Sequence, residues 1–129
     1  MPEYKLSQRS LERMSGVHID LQRVAKRAIQ ITKVDFGIPA DGGLRTAARQ
    51  RELYLAGKSK ADGINRKSKH QSGDALDFYA YDGQASWTQE HLSTVACAFF
   101  QAAIELGVKI RWGGLFRSFN DSPHIERYE

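Results

Sequence analysis

The stretch Ser68-Lys69-His70-Gln71-Ser72-Gly73-Asp74-Ala75-Leu76-Asp77 decides how the rest of this 129-residue chain is read. It carries a histidine, a glycine where the chain can turn, and a carboxylate at the start of an alternating run. Leu76, Phe78 and Ala80 alternate with Asp77, Tyr79 and Tyr81, the period of a half-buried strand. Asp77 then points away from the face that Leu76 and Phe78 present to a core. On a continuous helix His70 and Asp77 would lie about 10 Å apart along the axis, too far to share an ion. A turn at Gly73 followed by a strand brings them together.

A second stretch, Asn120-Asp121-Ser122-Pro123-His124-Ile125-Glu126, has a complementary make-up. If it is extended, His124 and Glu126 share one side and Ile125 faces inward. Asp121 lies three residues before His124, across a turn at Pro123. A catalytic zinc site needs three N or O ligands and one position left open. His70, Asp77 and His124 can supply that set, and either Asp121 or Glu126 can serve as the general base. Asp74 is an alternative carboxylate ligand, although the apolar alternation favours Asp77. His18 and His91 fall within predicted helices and read as ordinary helix residues.

Outward from these stretches, a short helix is expected over 6–14, starting near Ser7 or Ser10. Val17, Leu21, Val24, Ala25, Ala28 and Ile29 form the stripe of an amphipathic helix. Val34, Phe36 and Ile38 read as a strand, ended by Pro39 and Asp41-Gly42-Gly43. Thr46 is placed to cap a helix running to about Leu55, which Gly57 stops. Residues 58–69 read as a polar, basic surface loop with a turn at Asp62-Gly63. Ser86-Trp87-Thr88-Gln89 has capping-box spacing. It opens a long helix that buries Leu92, Val95, Ala96, Phe99, Ala103, Ile104 and Leu106 and ends at Gly107. Val108, Ile110 and Trp112 form a third strand, and His124 to Glu126 a short last one. This irregular order points to an α+β fold, a small mostly antiparallel sheet packed with helices.

The length suits a single domain over 1–129. Hydrophobic residues at 41% and charged residues at 26% support a packed core and exclude disorder. No apolar run reaches the roughly 20 residues of a membrane span. The start, Met1-Pro2-Glu3-Tyr4-Lys5, lacks the pattern of a signal peptide, so synthesis in a cytoplasm is expected. The net charge is +4, but the basic residues are scattered. Lys58, Lys60, Arg66, Lys67 and Lys69 come closest to a block. Without interleaved aromatics this argues against nucleic acid and leaves a solvated face or attraction to an anionic envelope or acidic substrate. The lone Cys97 can form no internal disulfide and no thiolate zinc site. Its apolar neighbours predict a small buried residue.

Together these residues carry a resemblance. Ser68-x-His70-x-x-Gly73-x-Ala75-x-Asp77, then Trp112-Gly113-Gly114, then Asp121-x-Pro123-His124-x-Glu126 resembles the zinc peptidases of the D-Ala-D-Ala carboxypeptidase and hedgehog-like superfamily. Within it the chain is most similar to the phage L-alanyl-D-glutamate endopeptidases, which are endolysins. Leu11 to Leu21 matches the family's N-terminal helix. Gly43-Leu44-Arg45-Thr46, with Gln50 and Leu53, matches the segment bearing its active-site arginine.

The resemblance implies one Zn2+ held by His70, Asp77 and His124, Asp121 as general base, and Arg45 facing the substrate. Glu126 becomes a candidate to orient a ligand imidazole, and Ser68 and Gln50 weaker candidates to touch substrate or support the site. It further implies cleavage of the L-Ala–D-Glu bond of the peptidoglycan stem peptide, with no separate wall-binding domain and no stable membrane insertion. The expected setting is a monomer that reaches the periplasm and cell wall from the host cytoplasm with the help of a separate holin. Alternatives are a zinc D-Ala-D-Ala carboxypeptidase and a non-catalytic zinc-stabilised peptidoglycan-binding module. One departure stands out: Leu115-Phe116 replaces the acidic residue and tryptophan that many members carry after the two glycines.

Overall fold

Ser7 opens the first helix by accepting the Ser10 amide on its hydroxyl, which satisfies one of the unpaired N–H groups at a helix start. Helix α1 spans Gln8–Arg13. Helix α2 (Ile19–Ile31) buries Leu21, Val24, Ala25, Ala28 and Ile29, the expected stripe without Val17, which is buried just ahead of the helix cap. Strand β1 (Asp35–Gly37) leads to α3 (Ala47–Leu55), capped by Thr46. Strands β2 (Ala75–Asp77), β3 (Tyr79–Tyr81) and β4 (Ala85–Ser86) precede the long α4 (Gln89–Leu106), which ends at a left-handed Gly107. Strand β5 (Ile110–Trp112), a 3-10 turn at Gly113–Leu115 and β6 (His124–Arg127) complete the order. This computed structural model describes residues 4–115 and 120–128.

Among the described residues there are two three-stranded antiparallel sheets, β1-β3-β4 and β2-β6-β5. The run from Leu76 to Ala80 is therefore not one strand. Phe78 is the point of exchange: its amide donates to the Pro123 carbonyl at 2.8 Å, and the next residue, Tyr79, pairs with Gly37 of β1. The alternation survives the switch because Leu76, Phe78 and Ala80 all turn into one core. There the rings of Phe36, Phe78 and Phe99 meet with centroids 5.1–6.4 Å apart. Helices α2 and α4 pack on each other across that core. Phe99 is fully buried, so truncation to Ala costs about 3–5 kcal/mol.

Several local expectations are corrected. Thr88, not Ser86, caps α4; Ser86 pairs with Ala80 in β4, and its hydroxyl lies 2.6 Å from His91 Nδ1. His18 is not inside a helix: it caps α2, its Nδ1 accepting the Asp20 amide at 3.1 Å. Ile104 is 81% exposed and Cys97 is exposed. Each follows a buried alanine, Ala103 or Ala96, and one residue along a helix turns about 100°, off the buried stripe. Leu115 is exposed, and Phe116 lies outside the described residues.

Candidate metal centre

In the ladder between β2 and β6, Asp77 sits directly opposite His124. Opposed residues in an antiparallel pair have Cβ atoms about 4.5–5.5 Å apart, so strand register alone puts this carboxylate beside this imidazole. His70 arrives from the turn before β2. Gly73 makes that turn with φ 78°, where a side chain costs about 1–2 kcal/mol. Its carbonyl accepts the His18 amide at 2.8 Å, fixing the turn to the start of α2.

The two imidazoles are wired alike. His70 is buried, and its Nδ1 donates to the Gly43 carbonyl at 2.9 Å. His124 Nε2 lies 2.9 Å from Glu126 Oε1. The inner nitrogens, His70 Nε2 and His124 Nδ1, lie 3.1 and 3.2 Å from the same Asp77 Oδ1. A carbonyl only accepts, so the Gly43 contact fixes the hydrogen on His70 Nδ1. The Glu126 carboxylate fixes the other on His124 Nε2 in the same way. Both inner lone pairs then face an oxygen that also only accepts. Such a cluster needs a cation or an extra proton at its centre. The ligand atoms of His70, Asp77 and His124 lie within 4.8 Å of one another, and two nitrogens with one carboxylate oxygen are a donor set for a divalent metal. The residues fit a metal ion.

The ionisation states agree. Burial pulls the His124 imidazole toward its neutral form, but its bonds to Asp77 and Glu126 outweigh that and raise its pKa to about 9. Burial also disfavours the Asp77 carboxylate, yet hydrogen bonds from His124 and His70 hold it well below the usual range. Glu126 opposes its own burial through His124 and through Lys69, whose Nζ lies 3.2 Å from Oε2, and its pKa is lowered. Asp121 moves the other way: burial raises its pKa, helped by the Asp77 charge and only partly offset by His124.

Asp121 Oδ2 lies 3.7 Å from His124 Nδ1. Its position is set by the backbone. The His124 amide donates to the Asp121 carbonyl at 2.9 Å, and the Asp121 amide to the Gly113 carbonyl at 3.0 Å. A Cβ on Gly113 would collide with that Asp121 carbonyl, so the glycine after Trp112 is a packing requirement. Trp112 Nε1 donates to the Ser122 carbonyl at 2.7 Å, and the Ser122 hydroxyl to Gln89 Oε1 at 2.6 Å. These bonds join the Asp121 turn to β5 and α4.

Arg45 lies against the other oxygen of Asp77, with Nη2 3.1 Å from Oδ2. Its Nη1 donates to Gln50 Oε1 at 3.2 Å and its Nε to the Asp41 carbonyl at 2.8 Å. Gln50 is fully buried and supports Arg45 from behind. The Ser68 hydroxyl accepts the His70 amide at 3.2 Å. Asp74 bonds Ser72 and Arg127 instead of the triad. A cleft of about 750 Å³ opens over the centre, with Arg45, Ser68, His70, Asp77, Asp121 and His124 on its wall.

Sequence reasoning missed three supports. The Gly43 carbonyl and the Asp41 carbonyl act through the backbone, which leaves no side-chain signature. Asp41 does so from a left-handed φ of 64°, rare outside glycine. The third, Lys69, holds Glu126. Its place two residues after Lys67 in a basic run hid it.

The family model for the phage L-alanyl-D-glutamate peptidase matches residues 2–128. The chain is 36% identical to the L-alanyl-D-glutamate peptidase of Escherichia phage T5, over 92% of this chain and 85% of that one. It is 30% identical to the peptidoglycan L-alanyl-D-glutamate endopeptidase CwlK of Bacillus subtilis, over 93% and 80% respectively. The crystal structure of the Serratia marcescens L-Ala D-Glu endopeptidase ChiX superposes with a TM-score of 0.86 at 35% identity, covering 98% of this chain and 91% of that one. Sequence and structure thus agree over nearly the whole length, and the chain belongs to the phage L-alanyl-D-glutamate peptidase family.

Proposed function

We propose that this chain is a zinc-dependent peptidoglycan endopeptidase that hydrolyses the L-Ala–D-Glu bond of the stem peptide as a phage endolysin. The observation that carries this is the convergence of His70 Nε2 and His124 Nδ1 on Asp77 Oδ1, with Asp121 beside them in one cleft. The activities named for the phage T5, CwlK and ChiX relatives support the choice of bond.

His70, Asp77 and His124 hold the ion. Zinc at such a site polarises a carbonyl and makes water nucleophilic at neutral pH. Asp121 takes the proton of the attacking water as the new C–O bond forms. It passes that proton to the amine of D-Glu as the C–N bond breaks. Its raised pKa brings it nearer the working pH, which favours a base that must also act as an acid. Arg45 orients Asp77 and keeps further N–H groups for the negative charge on the scissile carbonyl oxygen. Glu126 fixes the tautomer and angle of His124, as carboxylates behind metal-binding imidazoles do. Ser68 steadies the backbone of His70. No covalent intermediate is required.

Among the described residues no helix is long and apolar enough to cross a membrane. The proposed route is from the host cytoplasm to the wall through a separate holin, with the chain acting as a monomer and a single domain. Mass spectrometry of digested peptidoglycan tests the bond. Peptides beginning with D-Glu are expected. Free D-Ala alone would make the enzyme a carboxypeptidase, and zinc binding with no product would make the chain a binding module.

A further inference from the structure

The loop 58–69 carries Lys58, Lys60, Arg66, Lys67 and Lys69 against a single acid, Asp62. It forms neither helix nor strand, yet it is pinned along its length. Asp62 Oδ1 accepts the amides of Ile64, Asn65 and Arg66, each at 2.9 Å. Gln50 donates to the Ser59 hydroxyl and the Ala61 carbonyl. Gln71 donates to the Gly63 carbonyl and accepts the Ser68 amide. The loop's one carboxylate is therefore committed to its own backbone.

Among the described residues seven cations line the cleft; Lys60 has an interaction of its own, and the other six divide into two groups. Arg45, Arg49 and Lys69 are engaged, with Asp77, with Asp41 and Glu52, and with Glu126. Lys58, Arg66 and Lys67 line the same cleft, are exposed, and have no carboxylate partner among the described residues. Lys67 stands three residues before His70, so their Cα atoms are at most about 11 Å apart. Like charges held together on a pinned loop repel, and among the described residues no carboxylate pairs with them. A ligand anion in the cleft would.

The substrate read above supplies one. A glutamyl residue whose amine forms the scissile bond has two carboxyl groups. The chain continues through one at most, and the other is a free carboxylate unless it is amidated. We propose that Arg66 and Lys67, assisted by Lys58, form an anion subsite that reads this carboxylate and discriminates D-Glu from its amide. This rests on the L-Ala–D-Glu reading.

The test uses the zinc-loaded full chain and two soluble stem peptides that differ only in a carboxylate or a carboxamide on that residue. The wild type is expected to cleave the carboxylate peptide with kcat/KM about tenfold higher. R66Q/K67Q should bring the ratio near one through a rise in KM for that peptide, and R66E/K67E should invert it. Equal wild-type rates would overturn the subsite, as would an unchanged preference in R66E/K67E with full zinc content. A loss seen only on intact wall, with soluble peptides cleaved as by wild type, would overturn it in favour of general attraction to an anionic polymer. If the wild type cleaves neither peptide, the L-Ala–D-Glu reading itself falls.

Discussion

Asp77 Oδ1 meets two imidazole nitrogens whose opposite N–H groups are already held by Gly43 and Glu126. Replacing His70, Asp77 or His124 with Ala should abolish both zinc retention and lysis, measured by metal analysis and a turbidity assay. Asp121→Asn should keep zinc and lower kcat by about 10²–10⁴-fold, the usual worth of a general base. If Glu126→Gln shows that pattern and Asp121→Asn does not, the base is misassigned. Glu126→Gln is instead expected to weaken zinc binding by about 10–100-fold. In the metal-free fold the raised His124 pKa of about 9 keeps the imidazole protonated at pH 7, so an ion that binds at this cluster must displace that proton. Calorimetry at pH 7 in buffers of different ionisation enthalpy should find about one proton released per ion. Zinc affinity should fall as pH drops below about 9, and binding without proton release at pH 7 would contradict this.

At the scale of elements, the site depends on register and on one tight packing point. Asp77 faces His124 because β2 and β6 pair in that register. Asp121 reaches the site because Gly113 has no side chain in its way. Gly113→Ala should therefore displace the Asp121 turn and cut turnover at least tenfold while the three ligands keep their zinc. Full activity in that variant would show that the turn does not position the base. Much of this was legible in the sequence. The alternation through Leu76, Phe78 and Ala80 gave the correct inward face, and hence the outward face of Asp77. The same alternation hid the change of sheet at Phe78, because period two reports which side faces the core and is silent about which strand lies alongside. The cap of α4 was misplaced by two residues, since Ser86 and Thr88 offer equivalent hydroxyls and only the pairing of Ser86 in β4 decides between them. The candidate ligands His70, Asp77 and His124 were legible because histidine and carboxylate side chains announce their chemistry, and the fold does bring them together. The carbonyls of Gly43 and Asp41 were not, since every residue has one.

For the whole molecule, the charged cluster links stability to pH in a way that the metal should reverse. The His124 pKa is raised from 6.5 to about 9 in the metal-free fold. That contribution to stability is full below about 6.5 and is lost as pH rises through about 9. Asp77 is held below its ordinary 3.8, so its contribution is present above that value and fades as pH falls below it. The metal-free protein should thus melt at a lower temperature at pH 9 than at pH 6. With zinc the difference should shrink or change sign, because zinc binds the deprotonated ligands. Calorimetric melting at both pH values, with and without zinc, checks this. Identical pH trends in the two forms would mean that the cluster is not where zinc binds.

The most direct test of the account is to titrate the metal-stripped chain with Zn2+ while following the release of peptides beginning with D-Glu from purified peptidoglycan. No release is expected without metal, then a rise that breaks at one ion per chain, and no response in His124→Ala. Full release in the presence of a chelator, or a normal titration by His124→Ala, would contradict it.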